Sequence, residues 1–363
     1  MTEVSEKIKI NKKTIRDSTN DAVKSAESVD LIYSLDNKAG ITRKRRGKYF
    51  LYYDGEEKIK DKTKLERIKK LGIPPAWVNV WISKLSNGHL QATGFDLLKR
   101  KQYRYHTSWN AVRKHTKFYR LQEFGKQMSV IRTHLEKDLS ISGFPQEKIL
   151  AAVVSLLERT NIRVGNAFYE KLYGSFGLTT LKNRHVTISG TQLRFSFKGK
   201  KGVQHNITLK SKRLARIVKE CKDIPGKELF EFYDDAGNIH SIDSGMVNNY
   251  IRAVTGGEFT AKDFRTWAGT VSALIAFNEL GGYETVTEMN QKIISAYDLV
   301  AKQLGNTRTV CKNYYVHPII VELYTQNKLE KYLSELKVIE ISDGQKDLMA
   351  EEKILLKILD KHF

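Results

Sequence analysis

Gln192-Leu-Arg-Phe-Ser-Phe-Lys-Gly-Lys-Lys-Gly-Val-Gln-His-Asn-Ile-Thr-Leu209 alternates apolar and polar residues on either side of a turn made of glycine and lysine. A period of two around such a turn predicts two antiparallel strands, residues 192–197 and 203–209. The surroundings follow a different period. Residues 147–159 carry Ile149, Leu150, Val153, Val154, Leu156 and Leu157 at helix spacing, the pattern of a buried helix. Further helices are predicted at 210–221, 244–254, 261–280, 286–304 and 318–336. A hairpin that interrupts helices on both sides implies a mainly α domain holding one small antiparallel sheet.

Upstream the texture changes to short segments punctuated by glycine. A basic run, Arg43 to Lys48, leads into Lys48-Tyr-Phe-Leu-Tyr-Tyr53 and a turn at Asp54-Gly55. These are strand and turn signals. A helix is predicted at 63–71, ending at Gly72, with Pro74-Pro75 preventing its continuation. Residues 89–95 alternate again as a strand. The chain therefore divides into a flexible leader (1–30) that contributes no core, a small β-rich domain (31–113) and a larger, mainly α domain (117–363). The fold class is α+β, and no repeat of 20–50 residues is visible.

The length of 363 residues suits this division. Hydrophobic residues at 40% are enough for a real core, and 62 Lys+Arg against 41 Asp+Glu leave a formal charge of +21. A polyanionic partner is the first expectation. The charge is concentrated: from Lys99 to Lys126 nine Lys/Arg face one acid, Glu123, interleaved with Tyr103, Tyr105, Trp109, Phe118, Tyr119 and Phe124. This is the composition of a phosphate-binding stripe, the bland alternative being a solvated helix face whose aromatics point to the core. Residues 337–363, with five basic and six acidic residues, need not touch the polyanion. The longest near-continuous apolar run, 149–157, is about half of a membrane span, and the N-terminus lacks the apolar stretch of a signal peptide. No membrane partner is expected. Cys221 and Cys311 read as buried thiols, and nothing in their number marks an oxidising compartment.

Familiar active-site signatures are missing. The Lys198–Gly202 turn lacks the GxxxxGK[ST] pattern of a phosphate loop, which speaks against ATP or GTP. The nine histidines form no HExxH pair or Cys/His cluster, so no metal site is expected and each isolated His reads as structural. Phosphodiester chemistry without a metal needs guanidinium groups on the non-bridging oxygens, a proton donor for the leaving alkoxide and a nucleophile. Tyrosine can be that nucleophile if positive charge activates it. Composition by itself selects no residue.

Ordered blocks do. They are Gly72-Ile-Pro-Pro-Ala-Trp77 with Val80-Trp81, His89-Leu-Gln-Ala-Thr-Gly-Phe-Asp96, Arg100-Lys-Gln-Tyr-Arg-Tyr-His106, Ile162-Arg-Val-Gly-Asn166, Leu178-Thr-Thr-Leu-Lys-Asn-Arg-His185, Phe197-Lys-Gly-Lys200, Lys262-Asp-Phe-Arg265-Thr and Thr309-Val-Cys-Lys-Asn-Tyr-Tyr-Val-His-Pro318. Over about residues 31–336 the chain resembles the type IB DNA topoisomerases in their compact, poxvirus-like and bacterial form. The resemblance implies the catalytic fold shared by these enzymes and tyrosine recombinases. It also implies a catalytic set of Arg163, Lys200, Arg265, Asn306 and Tyr315.

Within that set the resemblance makes Arg163 and Arg265 phosphate-holding cations and Lys200 the proton donor, with Lys198 and Lys201 as neighbours of the same type. Tyr314 and Tyr315 are adjacent and point roughly 100° apart on a helix. The family carries a polar phosphate-binding residue nine positions before its nucleophile: counting from Tyr315 gives Asn306, from Tyr314 gives Gly305. Tyr315 is therefore the expected nucleophile and Tyr314 a packing residue. Asn306 in place of the poxvirus His points to the bacterial-type subgroup. The resemblance further marks Gln102, Tyr103, Tyr105, Tyr169 and Lys262 as DNA contacts, the tyrosines of the small domain having core packing as their alternative.

The resemblance thus implies a monomer clamping double-stranded DNA and relaxing supercoils through a 3′-phosphotyrosyl link. It would need no ATP, metal or other cofactor, and would work in the cytoplasm, associated with the nucleoid. A tyrosine recombinase is the rival. It usually carries its second Arg in HxxR, whereas this chain has Lys262-Asp-Phe-Arg265.

Overall fold

The glycine-punctuated run after residue 40 builds an antiparallel sheet in the first of two units, Met1–Arg120 and Leu121–Phe363. The structure, a computed structural model, describes residues 21–336 and 347–362. In the first unit α1 (Ala22–Glu27) precedes β1 (Ile41–Arg46), β2 (Tyr49–Asp54), β3 (Glu57–Lys58), α2 (Lys62–Lys70), β4 (Val78–Ile82), β5 (Leu90–Phe95) and β6 (Lys101–Tyr105). The six strands run in the order β3-β2-β1-β4-β5-β6, which leaves β6 at an edge. Helix α2 starts at an Asp61 cap, whose carboxylate accepts from the Thr63 and Lys64 amides, and buries Ile68 against Ile41, Val80, Ile82 and Ala92. Within the basic run, Arg43 turns its guanidinium onto the carbonyls of Pro74 (3.1 Å) and Trp77 (2.6 Å), pinning the proline segment to the sheet.

The leader does supply core, against expectation. Asp21 caps α1, and Ala26 is fully buried beside Leu31 and Trp109. A single small residue on a short helix leaves no periodic trace, which is why composition hides it. Residues 1–20 of the expected leader lie outside the described residues.

Helix α3 (Thr107–Asp138) begins in the first unit and continues into the second. Next come α4 (Gln146–Thr160), α5 (Ala167–Tyr173), β7 (Val186–Ser189), β8 (Gln192–Lys198), β9 (Gln204–Lys210), α6 (Lys212–Cys221), β10 (Glu231–Tyr233), β11 (Ile239–Ser241), α7 (Ser244–Thr255), α8 (Ala261–Leu280), α9 (Val286–Leu304), α10 (Arg308–Tyr314), α11 (Pro318–Thr325), α12 (Glu330–Leu336) and α13 (Ala350–His362). The expected hairpin is β8 and β9, paired from Gln192↔Lys210 to Lys198↔Gln204, with β7 as a third strand. The architecture is α+β, as the alternation implied. Among the described residues no helix is long and apolar enough to cross a membrane.

One helix differs from expectation. The helix over 318–336 is broken: Asn327 takes a left-handed φ of 54°, and the Lys328 and Leu329 amides fold back onto the Leu323 carbonyl, ending α11. The charge-balanced C-terminal stretch, of which 337–346 lie outside the described residues, ends in α13, whose Ile354, Leu355, Ile358 and Leu359 are fully buried.

What anchors α13 is polar. Buried Arg132 donates bidentately to Glu352 (2.9 Å to each oxygen) and through Nε to Glu158 at 2.7 Å, while the Trp267 indole donates to Glu352 at 2.9 Å. Removing one member leaves an uncompensated buried charge. Glu352→Ala is expected to lower unfolding free energy by about 3–5 kcal/mol, read from urea denaturation. A loss no larger than that from a surface substitution would mean that α13 is held by its apolar face alone.

Candidate active site

Helix α4 closes at Asn161 in a left-handed conformation (φ 56°), and Arg163 leaves its end two residues later. Arg163 therefore lies beyond the helix rather than in its last turn. Its main chain is clamped: its carbonyl accepts from the Leu178 amide at 2.9 Å, and the Val164 carbonyl from the Thr179 amide at 2.7 Å. A β-carbon on Gly177 would fall 2.6 Å from the Arg163 oxygen, so only glycine allows this approach.

The Arg163 guanidinium reaches the C-terminal end of α9, where the helix stops at Gly305 with φ 58°. The last carbonyls of a helix lack intrahelical partners and form the negative end of its dipole. Two arginines take them. Arg265 donates to the Leu304 carbonyl at 2.7 Å and also to the Asn161 carbonyl. Arg163 Nη2 lies 3.4 Å from the Gly305 carbonyl and donates to Asn306 Oδ1 at 2.5 Å. Burial and the neighbouring Arg265 charge push the Arg163 guanidinium down to about 10, so it remains cationic at neutral pH. Arg265 is 4% exposed, which removes it from any solvated basic face. Its Nε is buried without an acceptor among the described residues. Lys262, one turn earlier on α8, is exposed.

Tyr315 caps the short helix α10, its amide donating to the Cys311 carbonyl at 3.0 Å. It is half-buried, with the Arg265 guanidinium carbon 5.2 Å from its ring centre. Helix α8 supports it directly. A β-carbon on Gly269 would lie 2.8 Å from the Tyr315 carbonyl oxygen, and the fully buried Thr270 hydroxyl donates to that oxygen at 3.2 Å. Thr270 also accepts from the His317 amide at 3.1 Å. Tyr314 does not pack as expected: as the last residue of α10 it turns outward and is 56% exposed. Burial raises the Cys311 thiol to about 11 and Cys221 to about 12, so both stay protonated, buried thiols.

Lys200 stands on the exposed turn between β8 and β9, where Lys201 and Gly202 adopt left-handed φ values of 62° and 78°. That turn reaches the other groups through a residue the sequence did not single out. His205, opposite Phe197 in the sheet register, stacks on it with ring centres 5.1 Å apart. Burial, then the charges of Arg163 and Arg265, hold its imidazole below its ordinary range. Its signal was available, because His205, Ile207 and Leu209 share the inward face of β9, and a polar ring there breaks an apolar pattern.

Thus Arg163, Arg265, Asn306 and Tyr315 gather around the end of α9, with the Lys200 turn adjoining them through His205. Tyr169, on α5, is 42% exposed and stacks loosely on Tyr173. In the first unit Gln102, Tyr103 and Tyr105 lie on edge strand β6. Gln102 donates to Asp96 at 3.0 Å; Tyr103 is 47% exposed and stacks on Tyr105, which packs against the Trp109 cluster. In the basic stripe Trp109, Phe118 and Phe124 are buried, so half of its six aromatics serve the core while Tyr103 faces outward. Among the described residues no group of His, Cys, Asp and Glu is placed to hold a metal ion.

Residues 106–340 match the family described as eukaryotic DNA topoisomerase I, catalytic core, and residues 49–96 the family described as bacterial DNA topoisomerase IB, N-terminal domain. The chain is 32% identical over 297 residues to DNA topoisomerase 1B of Acanthamoeba polyphaga mimivirus, covering 79% of this chain and 88% of that one. It is 25% identical over 235 residues to DNA topoisomerase 1B of vaccinia virus (strain Copenhagen), covering 63% of this chain and 71% of that one.

Proposed function

The chain belongs to the type IB DNA topoisomerases and has DNA as its substrate, and we propose that it relaxes supercoiled duplex DNA by cutting one strand through a 3′-phosphotyrosyl link to Tyr315. The Tyr315 oxygen attacks the phosphorus as its hydroxyl proton passes to water, and the 5′ oxygen departs with a proton from Lys200. Arg163, Arg265 and Asn306 hold the non-bridging oxygens as charge builds on them. The freed end swivels. Attack by the 5′ hydroxyl on the phosphotyrosine then reseals the strand, and since the link conserves the energy of the cut bond, neither nucleotide nor metal is consumed.

What carries this reading is the shared anchorage of both arginines on the last carbonyls of α9, beside Asn306 and Tyr315. Each guanidinium spends part of its donor set on the protein and keeps the rest for a phosphate. Lys262 and Tyr169 contribute phosphate contacts, while Gln102 and Tyr103 meet the duplex from the edge of the small sheet, where a Gln amide suits adenine. Tyr105 serves mainly to seat Tyr103. The protein works as a monomer clamped on the duplex, in the cytoplasm and with nucleoid DNA, where +21 of charge favours phosphate binding.

The test is relaxation of negatively supercoiled plasmid by purified protein in excess EDTA without nucleotide. Full relaxation is expected. Dependence on added Mg2+ or ATP, or exchange between defined sites instead of relaxation, would overturn the proposal.

A further inference from the structure

The Gly199–His205–Gly305 contact lies outside the catalytic set. Gly199 precedes Lys200, and Gly305 precedes Asn306. A β-carbon on Gly199 would fall 2.5 Å from His205 Cδ2 and 2.6 Å from Nε2; one on Gly305 would fall 2.5 Å from Cε1. The tip of the imidazole is therefore inserted between two main chains that each lack a side chain at that point. Gly305 has a positive φ that favours glycine anyway. Gly199 does not: at φ −93° and ψ −164° its backbone is one that any residue adopts. Its missing side chain is explained by the ring.

We propose that His205 is a positioning residue for strand cleavage: its imidazole, braced on Phe197, is a wedge that sets how far the Lys200 turn stands from the Asn306 segment. This rests on the function proposed above. His205 touches no reacting atom and acts through Lys200. The turn is closed on itself, the Gly199 amide donating to the Val203 carbonyl at 2.7 Å and the Gly202 amide to the Gly199 carbonyl at 3.1 Å, so a ring packed against Gly199 bears on the whole turn that carries Lys200. The imidazole stays neutral beside Arg163 and Arg265, so the wedge adds no charge to a cationic centre.

A substrate with sulfur in place of the 5′ bridging oxygen separates this role from general support. A thiolate leaves without a proton, so cleavage of that substrate bypasses Lys200. His205→Ala is expected to slow single-turnover cleavage of ordinary DNA by roughly 10²-fold, the cost of misplacing a catalytic group by about 1 Å. Most of the deficit should vanish on the sulfur substrate. His205→Phe, which keeps a flat ring, should recover much of the rate on ordinary DNA, and non-covalent DNA binding, measured with Tyr315→Phe also present, should stay unchanged. A second variant guards against misfolding: Gly199→Ala crowds the ring and should slow cleavage alone, yet add nothing in a His205→Ala background, where its methyl has room.

Equal slowing on both substrates would make His205 a structural residue, and unchanged cleavage in His205→Ala would remove it altogether; either result overturns the wedge while leaving the proposed function intact. A parent protein that cleaves neither substrate would take both down together.

Discussion

Tyr315→Phe will bind DNA and leave it uncut. Phenylalanine keeps the ring under Arg265 and loses only the hydroxyl, so the fold and the hydrogen bond from Thr270 to the main-chain oxygen at residue 315 are retained. With the nucleophile gone, relaxation should fall by a factor on the order of 10⁶, the scale seen when a covalent catalyst loses its attacking group. No protein–DNA adduct should be trapped on a nicked duplex, whereas non-covalent binding persists. The neighbouring Tyr314→Phe supplies the contrast. Its side chain is 56% exposed, and relaxation should match the parent. Adduct formation by Tyr315→Phe, or its loss in Tyr314→Phe, would move the chemistry to the other phenol.

The second large effect falls on Arg265. Its guanidinium spans the carbonyls of Asn161 and Leu304, joining the end of α4 to the end of α9 while its charge lies against Tyr315. A lysine offers a point charge and no planar fork, and cannot repeat that bridge. Arg265→Lys should lower the rate of single-turnover cleavage by roughly 10³–10⁵-fold, the worth of a guanidinium in phosphoryl transfer. Some stability should go with it, because two carbonyls lose their donors. If cleavage falls no further than in the exposed Lys262→Ala, Arg265 would be a structural brace and the negative charge of the transition state would rest on Arg163 alone.

Much of this was legible in the residues themselves. The hairpin stood out because period-two alternation interrupts helical spacing, and α8 and α9 appear with the bounds expected, since both are long and run from a threonine cap to a glycine. The proposed catalytic set came from matching blocks, not from pattern: nothing local tells Arg163 or Arg265 from other arginines, and only the fold brings both to the end of α9. The unreadable parts depend on distance. Arg132 and Glu352 lie 220 positions apart, so no window of sequence reveals that one buries the other. His205 needed its neighbours, because the inward face of a strand is visible in sequence but the glycines across from it are not. Tyr314 shows the reverse limit, where a helix ends one residue too soon for angular spacing to decide which ring packs.

Gly269 has a mechanical consequence. In the mechanism proposed above, torque and viscous drag on a rotating strand end would pull on the joined phosphate and, through it, on Tyr315. Because Gly269 lets the main chain of Tyr315 rest directly against α8, with Thr270 latching its oxygen, that load passes into a helix of 20 residues instead of a free loop. The same helix bears Arg265, so in the proposed covalent state anchor and clamp move together and the tethered 3′ end stays presented for rejoining.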